Sequence, residues 1–248
     1  MIFNFFGKSP HKEYINLKTL KADIHSHLLP GIDDGAENIP HSIELISGLK
    51  HLGFSKLITT PHIRSDMFKN KSDIIRFQLD RVQEELKIKN IDISLQAAAE
   101  YYLDDYVLEL LQKKEPLLTV KDNMVLVEFS ILHQALNMRE LIFELQMAGY
   151  KPIIAHPERY IYLHRKYDLL HEFKENGCLF QLNLLSASTL SGRILTEMVS
   201  YFIDHDFYDF AGTDTHNLGH LQRLHNMKVS NKVNDLLTGD RLLNNTLV

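Results

Sequence analysis

Cysteine is almost absent from this chain, which has only Cys178 among its 248 residues. A single cysteine cannot form an internal disulfide, and scarce cysteine is typical of proteins from reducing compartments. Long apolar runs are also absent. The largely apolar stretch from Met1 to Phe6 is too short for the apolar region of a signal peptide or for a membrane span. We therefore expect a cytoplasmic protein. Phe3, Phe5 and Phe6 either cap one end of the fold or contact a partner or a membrane surface.

An excess of basic residues is the next absence. Lysine and arginine number 27 against 32 acidic residues, so the formal net charge is -5 at pH 7. This charge provides no electrostatic reason to expect nucleic-acid binding. No low-complexity tract, linker or close repeat divides the chain. We expect a single domain over residues 1–248, with an N-terminal extension over 1–20 and a polar, peripheral tail over 228–248.

Short apolar runs alternate with longer amphipathic segments, which is typical of repeated strand and helix units around a parallel sheet. The predicted strands are Lys21–His25, Lys56–Thr60, Ile93–Ala98, Met124–Glu128, Pro152–Ala155, Leu179–Asn183 and Asp209–Gly212. The predicted helices are Pro40–Leu52, Ser72–Ile88, Tyr106–Lys113, Leu136–Ala148, Tyr167–Glu175, Arg193–Asp204 and Leu218–Met227. A chain of this length can form an α/β barrel as one domain.

Histidines and carboxylates stand at the downstream ends of these apolar runs, where the active sites of α/β barrels gather. They are His25, His62, Glu100, Glu128, His156 and Asp214. Two of them begin pairs, because His27 and His216 follow at a spacing of two, which directs both side chains to one side of an extended strand. One such pair is weak support for a metal site, whereas the whole set indicates a polynuclear metal hydrolase. Among the predicted strands, only Leu179–Asn183 offers no strong ligand.

The carboxylates strengthen this interpretation. Glu100 and Glu128 follow almost wholly apolar residues, so their charges need compensation, and nearby lysines and arginines are few. Asp33, Asp34 and Gly35 form an acidic loop that is typical of a solvated turn. We favour Asp34 over Asp33 as an oxygen ligand beside His62 and His216, and the choice between the two aspartates stays open.

Two arginines are candidates for binding an anion. Arg159 follows His156-Pro157-Glu158 directly, and a guanidinium suits bidentate capture of phosphate oxygens. The alternative is an ion pair with Glu158 or another acidic neighbour. Arg64 is the second candidate, and an ion pair with an acidic neighbour is again the alternative. His133, His164 and His220 lie close enough to strand-end loops to support the site or its substrate.

As an ordered set, these residues resemble the polymerase and histidinol phosphatase (PHP) superfamily of metal-dependent phosphoesterases. The motifs from His25 to Gly35, Thr60-Pro61-His62 and His156-Pro157-Glu158-Arg159 are most similar to those of the bacterial manganese-dependent tyrosine phosphatases of capsule and exopolysaccharide loci. The resemblance covers nearly all of residues 21–227. It implies a distorted TIM-like (β/α)7 barrel.

The resemblance also implies three divalent metal ions, manganese before iron or zinc. One ion would be held by His25, His27, Glu100 and Asp214, a second by Asp34, His62 and His216, and the third by Glu128 and His156 with Glu100 as a bridge. Histidinol phosphatases often have histidine where Asp34 and Glu128 stand, so these two acids favour the tyrosine phosphatase branch. We expect catalytic roles for Arg159, Asp214 and His216, and substrate contacts from Arg159 and Arg64.

The resulting hypothesis is a phosphatase that hydrolyses phosphotyrosine on a bacterial tyrosine kinase of polysaccharide synthesis or export, through a metal-bridging hydroxide. One alternative is a small-molecule phosphatase acting on histidinol phosphate or a sugar phosphate. Another is a binding module that has lost catalysis. A protein substrate requires an open site, which Tyr101, Tyr102, Phe129 and Tyr160 would flank unless they are packing residues.

A cysteine-based phosphatase is excluded by the sequence. Such an enzyme needs an arginine six positions after its cysteine, and Leu184 stands six positions after Cys178. We expect Cys178 to be a packed residue at the start of a strand.

Overall fold

The computed structural model describes residues 12–248, and the predicted contacts of Phe3, Phe5 and Phe6 lie outside the described residues. The strands are β1 (Lys12–Tyr14), β2 (Ala22–Asp23), β3 (Lys56–Thr59), β4 (His62–Ile63), β5 (Ser94–Ala97), β6 (Glu100–Tyr102), β7 (Met124–Glu128), β8 (Lys151–Ala155), β9 (Leu179–Asn183), β10 (Phe210–Gly212) and β11 (Lys228–Ser230). The helices are α1 (Ile39–Leu52), α2 (Ser72–Ile88), α3 (Asp105–Gln112), α4 (Met138–Met147), α5 (Asp168–Glu175), α6 (Arg193–Asp204), α7 (Leu218–Asn226) and α8 (Asn231–Thr238).

Parallel strands form a ring. Six of them pair in the order β10-β9-β8-β7-β6-β4, and three pair in the order β2-β3-β5. β4 continues the path of β3 and β6 continues that of β5, so these four short strands occupy two positions in the ring. The Asp214 amide donates to the His25 carbonyl at 2.7 Å, and the His27 amide donates to the Thr215 carbonyl at 2.9 Å, which joins the two ends. The predicted α/β class is confirmed, and seven strand positions are compatible with the expected barrel.

Two of the predicted strands are interrupted where the site lies. The run Lys56–Thr60 ends at Thr59, and after Pro61 the chain pairs again as β4; the run Ile93–Ala98 likewise resumes as β6. Neither β4 nor β6 was expected. A proline has no amide hydrogen to donate, so the ladder is broken at Pro61 and the chain can bend there. The bends bring His62 and Glu100 opposite each other in the pairing of β4 with β6.

Apolar side chains pack on both faces of the ring. The interior cluster contains Ala22, Ile24, Ile58, Ala98, Val120, Leu126, Ile153, Ala155, Leu179, Phe210 and Leu247. The outer cluster is larger and packs the strands against the amphipathic helices. Helix α1 shows how the sequence sets its ends: the Asn38 side chain accepts from the His41 amide, and Gly53 ends the helix at φ 112°.

The expectation of a peripheral tail over residues 228–248 is wrong. β11 pairs with β1 of the N-terminal extension, and α8 buries Val233, Leu236 and Leu237. The last turn, a 3-10 helix over Leu243–Leu247, contributes Leu247 to the interior of the ring. Isolated apolar residues in a polar segment have too little periodicity to predict this packing.

Within residues 12–248, no helix combines the length and the apolar character needed to cross a membrane.

Candidate metal centre

All nine predicted metal ligands lie in one cluster at the carboxyl ends of the strands. Four overlapping sets bring their ligand atoms within 4.8 Å of one another. The sets are His27, Asp34, His62 and His216; His25, His27 and Glu100; His25, His156 and Asp214; and His62, Glu100 and Glu128. The last set differs from the division that the resemblance implied, because it places His62 beside Glu100 and Glu128.

Glu100 is at the middle of the cluster. Its Oε2 atom lies 3.1 Å from His25 Nε2, 3.4 Å from His27 Nε2 and 3.2 Å from His62 Nδ1. Both Glu100 Oε2 and His62 Nδ1 are buried, and neither has a hydrogen-bond partner within the described chain. A carboxylate oxygen that faces three imidazole nitrogens without a hydrogen bond is suited to share a cation with them. The donor set therefore fits divalent metal ions.

Protonation in the cluster supports the same conclusion. Burial alone would lower the pKa of His25, but Glu100 and Asp214 outweigh it and raise that pKa to about 9. Burial raises the pKa of Glu128 well above its usual range, and the neighbouring charge of Glu100 adds to this effect. Without a cation, the two carboxylates thus resist simultaneous ionisation, and a bound cation would remove that conflict.

His156 completes the inner part of the cluster. Its Nε2 atom lies 3.1 Å from Glu100 Oε1 and 3.9 Å from Glu128 Oε2. The backbone of His156 is left-handed at φ 35°, and Asp214 is left-handed at φ 51°. Such backbone is costly for residues other than glycine and is concentrated at functional sites. Both candidate ligands are therefore held where the chain turns sharply at a strand end.

Asp34 and Asp33 have different positions. Asp34 Oδ1 lies 3.4 Å from His216 Nε2 and 3.6 Å from His62 Nε2, which places Asp34 in the candidate ligand set as expected. Asp33 instead accepts from His27 Nδ1 at 2.8 Å. This contact lets Asp33 orient the candidate ligand His27. The Asp33 side chain is fully buried, so Asp33 is not the solvated turn residue that the composition of the loop suggests. Gly35 allows the loop to close, because a Cβ there would lie 2.1 Å from the His27 carbonyl.

Asp214 divides its two oxygens between different neighbours. Oδ1 lies 3.4 Å from His25 Nε2 and 3.5 Å from His27 Nε2. Oδ2 accepts from Arg159 Nη1 and from Asn183 Nδ2, each at 2.8 Å. One oxygen thus faces the candidate ligands, and the other is bound to the protein.

Sequence reasoning missed the contribution of β9. Gln181 Oε1 accepts from His25 Nδ1 at 2.8 Å, and Asn183 binds Asp214. The signal was present, since these two polar residues stand two apart in an otherwise apolar run. His220 also supports the site through Nδ1, which lies 3.1 Å from the Asp214 carbonyl.

The other histidines with an open role bind elsewhere. His164 Nε2 lies 2.9 Å from Glu197, and His133 Nδ1 lies 3.3 Å from the Ser130 hydroxyl.

Arg159 makes an ion pair, but not with its sequence neighbour. Its partner is Asp214, whereas Glu158 is fully buried and accepts from the Asn183 amide and the Tyr208 hydroxyl, each at 3.0 Å. Burial raises the pKa of Glu158 to about 7. Arg159 remains about one-third exposed and lines the cavity above the cluster. This position leaves it able to reach an anion in the cavity.

Arg64 lines the same cavity with a partner of its own. Its Nε and Nη2 atoms donate to the two oxygens of Asp66 at 2.6 and 3.0 Å. Its guanidinium carbon also lies 4.2 Å from the centre of the Tyr102 ring. Arg64 therefore makes an ion pair with an acidic neighbour, which was the alternative to anion binding. Its contact with substrate stays a prediction.

The cavity over the cluster has a volume of about 330 Å³. Of the four aromatic candidates, Tyr102 and Phe129 line it. Tyr101 and Tyr160 are packing residues, because their buried hydroxyls bond the backbone at Leu118 and at Phe129. Two large apolar side chains on the cavity wall, Met67 and Leu132, are 63% and 85% exposed.

Comparison with known proteins places this geometry in a family. The chain is 29% identical over 196 residues to the tyrosine-protein phosphatase YwqE of Bacillus subtilis, covering 79% of this chain and 77% of YwqE. It is 30% identical over 202 residues to the tyrosine-protein phosphatase CpsB of Streptococcus pneumoniae, covering 79% and 83% of the two chains.

Solved structures agree with these relatives. One solved chain, from crystal structures of YwqE of Bacillus subtilis and CpsB of Streptococcus pneumoniae described as unique metal-dependent tyrosine phosphatases, matches with a TM-score of 0.77 and 26% identity over 91% of this chain and 90% of the other. The family model for capsular polysaccharide synthesis, CpsB/CapC, matches residues 21–244. These matches confirm the resemblance that the motifs indicated, and the chain belongs to the CpsB/CapC family.

Proposed function

We propose that this protein is a metal-dependent phosphotyrosine protein phosphatase that acts on a bacterial tyrosine kinase of polysaccharide synthesis or export. The observation that carries the proposal is the cluster of nine histidine and carboxylate ligands around Glu100, with Arg159 beside it in an open cavity. Relatives in the family are named tyrosine-protein phosphatases. A cytoplasmic location remains part of the prediction.

The nine residues would hold three divalent cations, with Mn²⁺ favoured by the family resemblance. Mixed histidine and carboxylate sites also accept iron and zinc, so the ligand types alone do not choose the metal. When bound, such cations lower the pKa of water and polarise phosphoryl oxygens. The unpartnered Glu100 Oε2 and His62 Nδ1 atoms support metal binding at the centre.

The chain's own residues would bind and orient the phosphoryl group. Arg159 has five N–H donors, and the structure directs Nη1 to Asp214, so the guanidinium can bind phosphate while it stays tethered. His216 is oriented because its Nδ1 atom donates to the Asp214 carbonyl at 2.9 Å, which directs Nε2 toward Asp34. A phenolate leaving group, with a pKa of ~10, needs less protonation than a serine alkoxide.

The shape of the cavity favours a protein substrate over a metabolite. A site built for a small molecule encloses most of its ligand. Here the cavity wall includes the exposed side chains of Met67 and Leu132, which a peptide on either side of a phosphotyrosine could contact. Tyr102 supplies aromatic surface in the same cavity.

The test is a substrate panel on metal-free protein to which Mn²⁺, Fe²⁺ or Zn²⁺ is added back. The panel contains a phosphotyrosyl peptide, a phosphoseryl peptide, histidinol phosphate and a simple aryl phosphate. We expect hydrolysis of the phosphotyrosyl peptide and the aryl phosphate, with Mn²⁺ the best metal. His156→Ala and Arg159→Ala should each lower the rate by roughly 10²- to 10³-fold, which is typical for the loss of one electrostatic contact to a transition state.

Two matched variants test whether removing a histidine or an arginine far from the cluster also lowers activity. His51 is exposed on α1, and Arg139 pairs with Glu172 on the surface, so His51→Ala and Arg139→Ala should keep full activity. A preference of several orders of magnitude for histidinol phosphate would contradict the proposed substrate. Absence of phosphate release above the His156→Ala background with every metal would contradict the enzymatic function.

A further inference from the structure

We infer that Asn183 on β9 is a positioning residue that turns the Asp214 carboxylate so that Oδ1 alone faces the metal-binding histidines. The inference rests on the proposed function, because it concerns how that metal centre is assembled. β9 supplies no ligand, yet Asn183 is only 5% exposed and its amide touches a candidate ligand directly.

The orientation of the Asn183 amide is determined by its two contacts. Its Oδ1 atom accepts from the Leu185 amide at 2.9 Å, and a backbone N–H can only donate. The other side of the amide must therefore be the NH₂ group, which donates to Asp214 Oδ2 at 2.8 Å. Asn183 thus presents a donor, and not an acceptor, to the carboxylate.

The backbone of Asn183 is anchored as firmly as its side chain. Its amide donates to Glu158 Oε1 at 3.0 Å, and the Tyr208 hydroxyl donates to Glu158 Oε2 at 3.0 Å. Glu158 and Tyr208 are both buried. A continuous chain of contacts therefore runs from Tyr208 through Glu158 and Asn183 to Asp214.

Asn183 and Arg159 hold the same oxygen of Asp214 from different environments. Arg159 is about one-third exposed and is proposed to bind phosphate through its remaining N–H donors, so it has a second task besides its contact with Asp214. Asn183 has no such second task and lies away from solvent. It would keep Asp214 Oδ2 bound, and Oδ1 aimed at His25 and His27, while Arg159 engages the phosphoryl group.

Gln181 has a parallel position two residues earlier on the same side of β9. Its Nε2 atom donates to the Leu182 carbonyl, so its Oε1 atom accepts from His25 Nδ1, and the lone pair of His25 is directed to Nε2. Gly212 makes room for this contact, because a Cβ there would lie 2.6 Å from His25 Cβ and 2.9 Å from Gln181 Nε2. The strand without ligands therefore orients two of them.

Asn183→Asp tests the inference with little change of shape. The aspartate can still accept from the Leu185 amide, but it presents an oxygen to Asp214 where the wild-type protein presents a donor. We expect Mn²⁺ affinity at one site to fall by about 10- to 100-fold, as is typical when a group that orients a metal ligand is lost. Titration calorimetry of the metal-free protein with MnCl₂ measures the affinity and the number of sites.

Activity provides a second readout that separates positioning from a merely structural role. Hydrolysis of an aryl phosphate should be low at limiting Mn²⁺ and should recover as Mn²⁺ is raised to saturation. Asn183→Ala, which removes the donor without adding charge, should behave in the same way, and circular dichroism of each metal-free variant confirms that it is folded. Asn123→Asp is the matched control, because the Asn123 side chain is exposed and donates only to the Gly149 carbonyl in the described chain.

The outcomes separate this inference from the proposed function. If the wild-type protein binds Mn²⁺ and the folded Asn183 variants bind it with unchanged affinity and stoichiometry, the positioning role is wrong. Activity lost in these variants but not recovered at saturating Mn²⁺ would also overturn it. If the wild-type protein binds no divalent metal, the proposed function fails first and this inference fails with it.

Discussion

At the amino end of the strand ring, Asn244 is fully buried, donates to the carbonyls of Ala22 and Ala211 at 2.9 and 2.8 Å, and accepts from the Ala211 amide at 3.0 Å. At the carboxyl end, Glu100 is 1% exposed, and its Oε2 atom has no hydrogen-bond partner among residues 12–248. At the amino end, backbone groups make all the hydrogen bonds of the buried Asn244 amide. At the carboxyl end, the buried Glu100 carboxylate keeps one oxygen free to bind a cation.

The physical difference between the two ends is the cost of burial. A buried amide with all its hydrogen bonds made costs little and helps to specify one arrangement of the chain. A buried carboxylate costs several kcal/mol unless it is paired or coordinated. We therefore expect the amino end to contribute stability without activity, and the carboxyl end to contribute activity at the expense of stability until metal is bound.

The largest expected effect is the loss of activity in Glu100→Gln, which removes the charge at the middle of the cluster. Catalysis should fall by at least about 10³-fold, equal to about 4 kcal/mol of transition-state stabilisation. The urea midpoint of the metal-free variant should not fall, because the substitution removes a buried charge without emptying space. Steady-state hydrolysis of an aryl phosphate and urea denaturation measure the two effects. A strongly destabilised Glu100→Gln variant would contradict the expectation that the buried carboxylate lowers the stability of the metal-free protein.

Asn244→Ala should show the opposite behaviour. It leaves the buried carbonyls of Ala22 and Ala211 and the Ala211 amide without their partner, so unfolding should become easier by roughly 2 to 4 kcal/mol. Specific activity per folded molecule should not change. Asn245→Ala is the matched control, since Asn245 is the exposed neighbour. Reduced activity in folded Asn244→Ala would show that the two ends are coupled.

Metal removal should act on one end alone. At a free Mn²⁺ concentration 100 times Kd, each bound ion stabilises the folded state by about 2.7 kcal/mol, so a chelator should lower Tm by roughly 5 to 10 °C for each ion that it removes from a chain of this size. Differential scanning calorimetry should give the same shift in Asn244→Ala and little shift in Glu100→Gln. A full shift that persists in Glu100→Gln would mean that the metal binds elsewhere.

The smallest expected effect concerns Cys178, which lies away from the cluster at the start of β9. Burial raises the pKa of its thiol from 9.0 to about 12. Iodoacetamide at pH 8 should therefore leave Cys178 unlabelled and activity intact in the folded protein, and should label it in urea. Because the folded pKa is raised, the thiol favours folding less as pH increases from 9 toward 12. Inactivation by alkylation of the folded protein would contradict this expectation.

Much of the fold was predictable because its elements are set by local pattern. The helices Ser72–Ile88 and Arg193–Asp204 and the strands Met124–Glu128 and Leu179–Asn183 occupy the predicted residues. β4 and β6 were missed because they depend on pairing after a bend and not on a periodic run. The packed tail was missed because Asn244 and Leu247 gain their partners only from strands far away in the sequence.

The candidate site divides in the same way. The sequence by itself determined which residue types stand at the strand ends, and all nine candidate ligands come together as expected. Only the tertiary structure decided which atoms face each other: that Asp34 points to His216 while Asp33 holds His27, and that Arg159 pairs with Asp214 rather than Glu158. Spacing along a strand determines the side on which a residue lies, whereas the partner of each oxygen depends on distant strands meeting at one end of the ring.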